Sequence, residues 1–258
     1  YRQIVYDDSL KIELSDLVSF KVMSSYILDT EAHGLVEPHA TEIAYIGVVF
    51  SPAGELILQT HNAFEQRFNP HKKITLGSQA ITGIFDDDVA DKPPHTDFEL
   101  PKDCEYLIGH NIDFDADVLT NADCDLSNIK RICTLALARH FFPQLDSHSL
   151  GALLCFFEPE VAKKNIKFAH GAKYDIWFTF LVLKAICHQH RITDMAQLYQ
   201  ASEHARKPTV MRFGKHKGVA IKDLPPDYVD WLLKQADLDP YLHLALTENS
   251  AGNHGNLL

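Results

Sequence analysis

Tyr26-Ile27-Leu28-Asp29-Thr30-Glu31 sets three apolar residues directly before two carboxylates spaced by one residue. In a β-strand, residues two apart project from the same face, so the segment predicts a buried strand that delivers Asp29 and Glu31 together. A carboxylate at the end of such a strand takes up a proton or finds a cation, because low dielectric penalises an unpaired charge. A divalent metal suits two acids on one face. By itself a D-x-E pair more often marks a solvated turn, so its meaning depends on the rest of the chain.

Two further stretches bear on it. Ile108-Gly109-His110-Asn111-Ile112-Asp113-Phe114-Asp115 closes another apolar run and opens a helix-like pattern. Phe168-Ala169-His170-Gly171-Ala172-Lys173-Tyr174-Asp175 leads into an apolar segment through Ile186 that reads as a helix. The order D-x-E, then H-N-x-x-F-D, then H-x-A-x-x-D resembles the DEDD exonuclease superfamily in its DEDDh branch. Within that branch the resemblance is to the exodeoxyribonuclease X group. It extends to Ser78–Ile84, Ile132–Arg139, Phe213–Gly218 and Tyr228–Leu232, so that it spans Ser25 to Glu248. His33 stands where relatives usually carry Thr, and Thr82 where a His is common; both bear on substrate preference.

The resemblance implies an α/β fold of the ribonuclease H-like kind, a mixed five-stranded sheet flanked by helices with a small C-terminal module. It also implies 3′→5′ hydrolysis of nucleic acid, DNA 3′ ends preferred, releasing nucleoside 5′-monophosphates. Asp29, Glu31, Asp115 and Asp175 would hold two Mg²⁺ ions, with Mn²⁺ expected to substitute. His170 would be the general base, and Leu35 and Asn111 would contact the nucleic acid. Two readings stay open beside this one: an exoribonuclease of the same branch, and a non-catalytic nucleic-acid-binding protein reusing the fold.

Chemistry supports the acid set. Two divalent ions about 3.5 to 4 Å apart can serve the attacking and the leaving oxygens of a phosphodiester together. Mg²⁺ takes hard oxygen ligands, so four carboxylates from separate elements suit it. An imidazole that titrates near neutrality can accept a proton from water. Five residues separate His170 from Asp175, about 140° around an ideal helix. The two cannot face one point from a regular helix, which predicts His170 on a loop eased by Gly171 and Asp175 in the first turns of the helix that follows. Asp113-x-Asp115-x-Asp117 imitates the start of a calcium loop, but Val118 and Cys124 occupy the positions that need Gly and Glu. His188-Gln189-His190 reads as a solvated helix end.

The chain has 258 residues, 46% hydrophobic and 23% charged, an ordinary globular composition with room for one large domain and a small module. No apolar run reaches the roughly 18 to 20 residues of a membrane span. The N-terminus shows no basic stretch leading into an apolar one. Five cysteines without a C-x-x-C pair suggest free thiols, a reducing compartment and a cytoplasmic location. A net charge of −11 runs against phosphate binding, yet its distribution is uneven. Acids crowd Asp86–Asp103, while Arg206–Lys222 holds six Lys or Arg and no acid. Local field outweighs the sum, and the mixture of Arg212, Phe213, Lys215 and Lys217 suits contact with a single strand.

Taken in order, residues 1–22 read as an extension of unknown role, with Met23 a candidate start. Residues 23–205 read as the exonuclease domain, 206–248 as a small basic module, and 249–258 as a disordered tail. Strands are predicted at 26–31, 43–50, 56–62 and 106–108. Helical patterns fall at 80–89, 114–119, 133–142, 149–157, 175–188 and 193–204, with a loop over Glu158–Lys167 and a tight turn at Phe213–Gly218. Asp227–Leu246 reads as one or two helices broken at Pro240, with Trp231 and Leu232 facing a core. Hairpin strands first, then strands alternating with helices, fit the mixed sheet.

Overall fold

Ser24–Ala32 (β1) is the central strand of a five-stranded sheet in the computed structural model, which describes residues 24–211, 213–235 and 238–254. On one side β1 runs antiparallel to Ala40–Phe50 (β2), which runs antiparallel to Leu56–Arg67 (β3). On the other it runs parallel to Cys104–Gly109 (β4), itself parallel to Lys130–Cys133 (β5). The strand order β3-β2-β1-β4-β5 is the mixed sheet of a ribonuclease H-like fold. The expected extension over residues 1–22, and Arg212, lie outside the described residues.

Central strands covered on both faces need continuous apolar runs. Ile27, Leu28, Leu107 and Ile108 are all completely buried. Burying a Leu or Ile side chain contributes about 1.5–3 kcal/mol, so this pair of strands anchors the core. The helices in chain order are Leu76–Thr82 (α1), Asp86–Val89 (α2), Ile112–Asn121 (α3), Thr134–Phe141 (α4), Leu150–Phe157 (α5), Pro159–Asn165 (α6), Ala172–His190 (α7), Met195–Arg206 (α8), Pro226–Leu232 (α9) and Pro240–His254 (α10). In α7 the buried side chains Ala172, Asp175, Ile176, Thr179, Phe180, Leu183, Ile186 and Cys187 recur at helical spacing, and that face packs against β1, β2 and β3. α3 lies against β1, β4 and β5.

Several expectations need correction. β3 extends past Asn62 to Arg67, because a bulge opposite Ile46 and Gly47 lets its second half pair with Glu42–Ile46. β5 is a short strand just ahead of the helical pattern expected from Cys133; two of its four residues are buried, too few to register as a strand. α1 begins at Leu76, capped by Thr75, whose hydroxyl accepts from the Ser78 amide, and Gly83 ends it in the left-handed region. Glu158–Lys167 is helical, not a loop: Pro159 occupies the first helical turn, where a missing N–H costs nothing.

The C-terminal residues form a second apolar cluster, including Met211, Ile221, Tyr228, Val229, Leu232, Leu242 and Leu246. Leu232 is 2% exposed but Trp231 is 53% exposed, since neighbours on a helix point about 100° apart and only one can face the core. Pro240 opens α10 rather than breaking a helix. The tail expected to be disordered from Asn249 is helical through His254. Two ion pairs flank the junction: Arg206, the last residue of α8, holds Asp113 of α3 at 2.8 Å, and Lys207 holds Glu248 of α10 at 2.7 Å.

Candidate active site

Strand alternation delivers Asp29 and Glu31 to one side of β1, and the first turn of α7 brings Asp175 to them. Ligand oxygens of these three carboxylates lie within 4.8 Å of one another. Asp115, in the first turn of α3, stands beside the group and is oriented separately. The Thr30 amide and hydroxyl both donate to its Oδ1, at 2.9 and 2.8 Å. Thr30, the residue between the two strand acids, therefore fixes the acid from α3. Close approach of the elements depends on Gly109 at the end of β4. A Cβ there would sit 2.7 Å from Ile112 Cδ1, 3.2 Å from the Leu28 carbonyl oxygen and 3.3 Å from Asp115 Oδ2.

Crowding and burial raise the proton affinity of all four acids. Burial, then repulsion from Asp115, Asp175 and Glu31, holds Asp29 well above the usual carboxylate range. Burial and the neighbouring acids push Glu31 to about 8. Burial raises Asp115 to about 7 against the opposing pull of the Thr30 donors, and Asp175 to about 6 against the His170 amide and charge. Asp175 Oδ1 is buried with no hydrogen-bond partner. An orphaned carboxylate oxygen facing further carboxylates, all hard donors, fits a hard divalent cation and little else.

His170 precedes α7 on a bend with φ of 65°, in the left-handed region, and its ring is exposed. Its amide donates to Asp175 Oδ2 at 3.2 Å, tying the bend to the acid group. His170, Asp29, Asp175 and Asn111 line one open cleft of about 750 Å³. Asn111 sits just before α3 with φ of 74°. Leu35 is 84% exposed on the loop after β1 and does not line the cleft. Lys215 and Lys217 are exposed on the C-terminal turn, also outside the acid cleft, with Lys215 Nζ 5.1 Å from the centre of the Tyr228 ring. Arg212 cannot be placed, being outside the described residues. His33 is buried and its Nδ1 accepts the His39 amide at 3.0 Å, clasping the loop that carries Leu35. Thr82 spends its hydroxyl on the Ser78 carbonyl at 2.9 Å, within α1.

The sequence profile of the RNase_T exonuclease family matches residues 26–183, from β1 into α7, and so contains the acid group and His170. The chain belongs to the DEDD exonuclease superfamily. The PolC-type DNA polymerase III of Bacillus subtilis is 30% identical over 170 residues, 62% of this chain and 11% of that protein. That of Streptococcus pneumoniae is 30% identical over 148 residues, 52% of this chain and 10% of that protein. The chain thus spans about a tenth of the curated relatives it matches. A solved exonuclease X in complex with 5′ overhanging duplex DNA is 26% identical, with a TM-score of 0.52, covering 69% of this chain and 99% of that one. Escherichia coli exonuclease I in complex with a dA16 oligonucleotide shares the fold at 18% identity and a TM-score of 0.52, over 73% of this chain and 46% of that one.

Two residues of this chain matter beyond those to which the sequence assigned a role. Glu42 of β2 lies directly opposite Glu31 in the strand register and is buried. Its Oε2 accepts the Ala172 amide at 3.2 Å and its Oε1 the Arg67 Nε–H at 3.3 Å. It therefore holds the first residue of α7, two positions from His170. An acid interrupting the apolar run Ile43–Phe50 at its edge was the available signal. His110 is the other. Its Nε2 donates to the His148 carbonyl at 2.9 Å and its Nδ1 lies 3.0 Å from Thr134 Oγ1, whose hydroxyl also reaches the Gly109 carbonyl at 3.2 Å, so the ring props the loop that walls the cleft. Burial lowers it to about 4.

Proposed function

We propose that the protein is a 3′→5′ exonuclease that prefers DNA and releases nucleoside 5′-monophosphates, with two Mg²⁺ ions, or Mn²⁺ in their place, held by Asp29, Glu31, Asp115 and Asp175. The observation that carries the reading is the convergence of three carboxylates within 4.8 Å, one with an orphaned buried oxygen, two of which, Asp29 and Asp175, line the same cleft as an exposed histidine. Bound divalent cations supply positive charge against the phosphate and make water a better nucleophile. The protein's part is to hold four acids that repel one another, which the buried strands and Thr30 do. His170 takes the proton from the attacking water, its bend tethered through its own amide to Asp175. Leu35 and Asn111 contact the terminal nucleotides, and Arg212, Lys215 and Lys217 the strand behind them. Residues 23–205 act as the catalytic domain and 206–248 as a basic strand-holding module.

Preference for DNA is supported by the DNA held in the exonuclease X structure and by the DNA polymerase relatives. Five unpaired cysteines suit a reducing cytoplasm. Among the described residues no helix is long and apolar enough to cross a membrane. The test is digestion of end-labelled single-stranded DNA, duplex DNA and RNA in Mg²⁺, Mn²⁺ or EDTA, with the products resolved. Mononucleotides released from the 3′ end of DNA in Mg²⁺ and abolished by EDTA are expected. Activity that survives EDTA, or faster release from RNA, would overturn the corresponding part.

A further inference from the structure

Helix α3 carries Asp115 in its first turn, yet that turn has no local anchor. Asn111, at its N-terminal flank, has φ of 74° and makes no side-chain capping bond. Two anchors from elsewhere hold it. On one side Thr30 of β1 donates twice to Asp115 Oδ1, at 2.9 and 2.8 Å. On the other, Asp113 takes Arg131 of β5 at 3.1 Å, and Arg206 Nη1 reaches both its carboxylate oxygens, at 3.0 and 2.8 Å. Side chains two apart on a helix point about 200° apart, so the two acids are drawn in nearly opposite directions and the turn is clamped across its axis. The Arg206 arm is the stiffer of the pair. Its side chain is 3% exposed, against 42% for Arg131. Its Nε and Nη2 are buried without hydrogen-bond partners, the nearer carboxylate to Nε being Glu203 at 3.7 Å. Movement of Asp113 would strand a buried charge, which fixes the pair in one place. Tyr241 of α10 backs it, with its ring centre 5.0 Å from the guanidinium carbon and its hydroxyl donating to Glu203 Oε1 at 2.9 Å.

We propose that Arg206 is a positioning residue for the acid group: backed by Tyr241, it holds the first turn of α3 against the repulsion of the other carboxylates, so that Asp115 keeps its place beside Asp29 and Glu31. The inference rests on the exonuclease reading, with its acid-held cations, and gives the C-terminal residues a duty that needs no contact with substrate. Repulsion is what the clamp resists. Asp29 and Glu31 both feel the charge of Asp115, and burial leaves little water to screen it. The sign of one effect separates position from field. Removing a positive charge near the acids should, by field alone, tighten the binding of a divalent cation. Removing an arm of the clamp should weaken it.

The test uses the full chain and two readouts. Mg²⁺ binding is titrated by calorimetry without substrate, and kcat and KM are measured on a single-stranded oligonucleotide. Arg206→Met is expected to weaken Mg²⁺ binding about tenfold and to lower kcat by a similar factor with KM little changed, the low end of the range for losing a group that orients a ligand. Arg206→Lys, which keeps the charge, should recover much of both. Tyr241→Ala should weaken Mg²⁺ binding in the same direction, and Tyr241→Phe, which keeps the ring, should not. Lys207→Ala breaks the neighbouring pair with Glu248 but spares the clamp, and should match the wild type. Should Arg206→Met fail to fold, Tyr241→Ala decides. Unchanged or tighter Mg²⁺ binding in these variants, even with a lowered melting temperature, would overturn the clamp, as would an equal loss in Lys207→Ala. A wild type that binds Mg²⁺ but hydrolyses no DNA would end the exonuclease reading alone, with calorimetry still deciding the clamp; one that binds no Mg²⁺ would end both.

Discussion

Asp115 is held by two donors of Thr30, yet burial keeps its proton affinity high, so its charge is tolerated only when something compensates it. Asp115→Asn is expected to abolish hydrolysis while leaving the circular dichroism spectrum intact, and to leave the melting temperature in EDTA level or higher, since one repelling charge is removed. Near wild-type turnover would refute its role. His170→Ala should lower kcat by about 10²- to 10⁴-fold, the usual cost of a lost general base. Calorimetric Mg²⁺ binding should scarcely change, and a loss as large as that of Asp115→Asn would make the histidine a ligand instead. Glu42→Ala should lower kcat more than it raises KM, because the start of α7 loses its anchor, and Glu42→Gln, which keeps an acceptor, should recover much of it. The grouping of Asp29, Glu31 and Asp175 was legible because each sits in a short local pattern. Glu42 was not, because its meaning depends on the Ala172 amide, 130 positions away in sequence.

β1, β4 and α3 meet where Gly109 leaves no room for a side chain. Gly109→Ala is expected to depress both melting temperature and turnover: Ile112 can move its terminal methyl, but the Leu28 carbonyl is backbone and Asp115 is held by Thr30. A variant with unaltered kinetics would show that the strand end yields. The long apolar strands and α7 could be read from periodicity, since burial on one or both faces leaves a run or a repeat. β5 could not, because with four residues its strand character comes from the neighbouring β4. α6 was obscured by Pro159, which signals a break unless it falls in the first helical turn. Trp231 misled for a related reason, its size suggesting burial while its position on α9 faces outward.

Over the whole molecule the acid group makes stability depend on pH in a definite sense. Glu31 rises from 4.5 to about 8 on folding, so its contribution is complete below 4.5 and is lost as pH climbs through 8. His110 falls from 6.5 to about 4, so its contribution is complete above 6.5 and is lost as pH drops through 4. Asp29, Asp115 and Asp175 are raised in the same sense, so in EDTA the four acids outweigh the histidine and the melting temperature should decline as pH climbs from about 5 through 8. Adding Mg²⁺ should lift the alkaline limb and barely move the acid one; equal shifts on both limbs would detach the cation from these acids. Replacing Arg212, Lys215 and Lys217 together by Ala should weaken single-strand binding and flatten its salt slope by about 0.7 for each cation that touches phosphate. An unaltered slope would make the module a packing element.

The tether between the His170 amide and Asp175 makes one proton a reporter for the entire centre. That N–H is donated to a carboxylate that either accepts a proton itself or turns toward a cation, and each event weakens or redirects the bond. Its amide resonance and exchange rate should therefore move with the pH titration of the acids and again with cation addition. Occupancy of the centre could be followed at a single nitrogen, without substrate and without turnover.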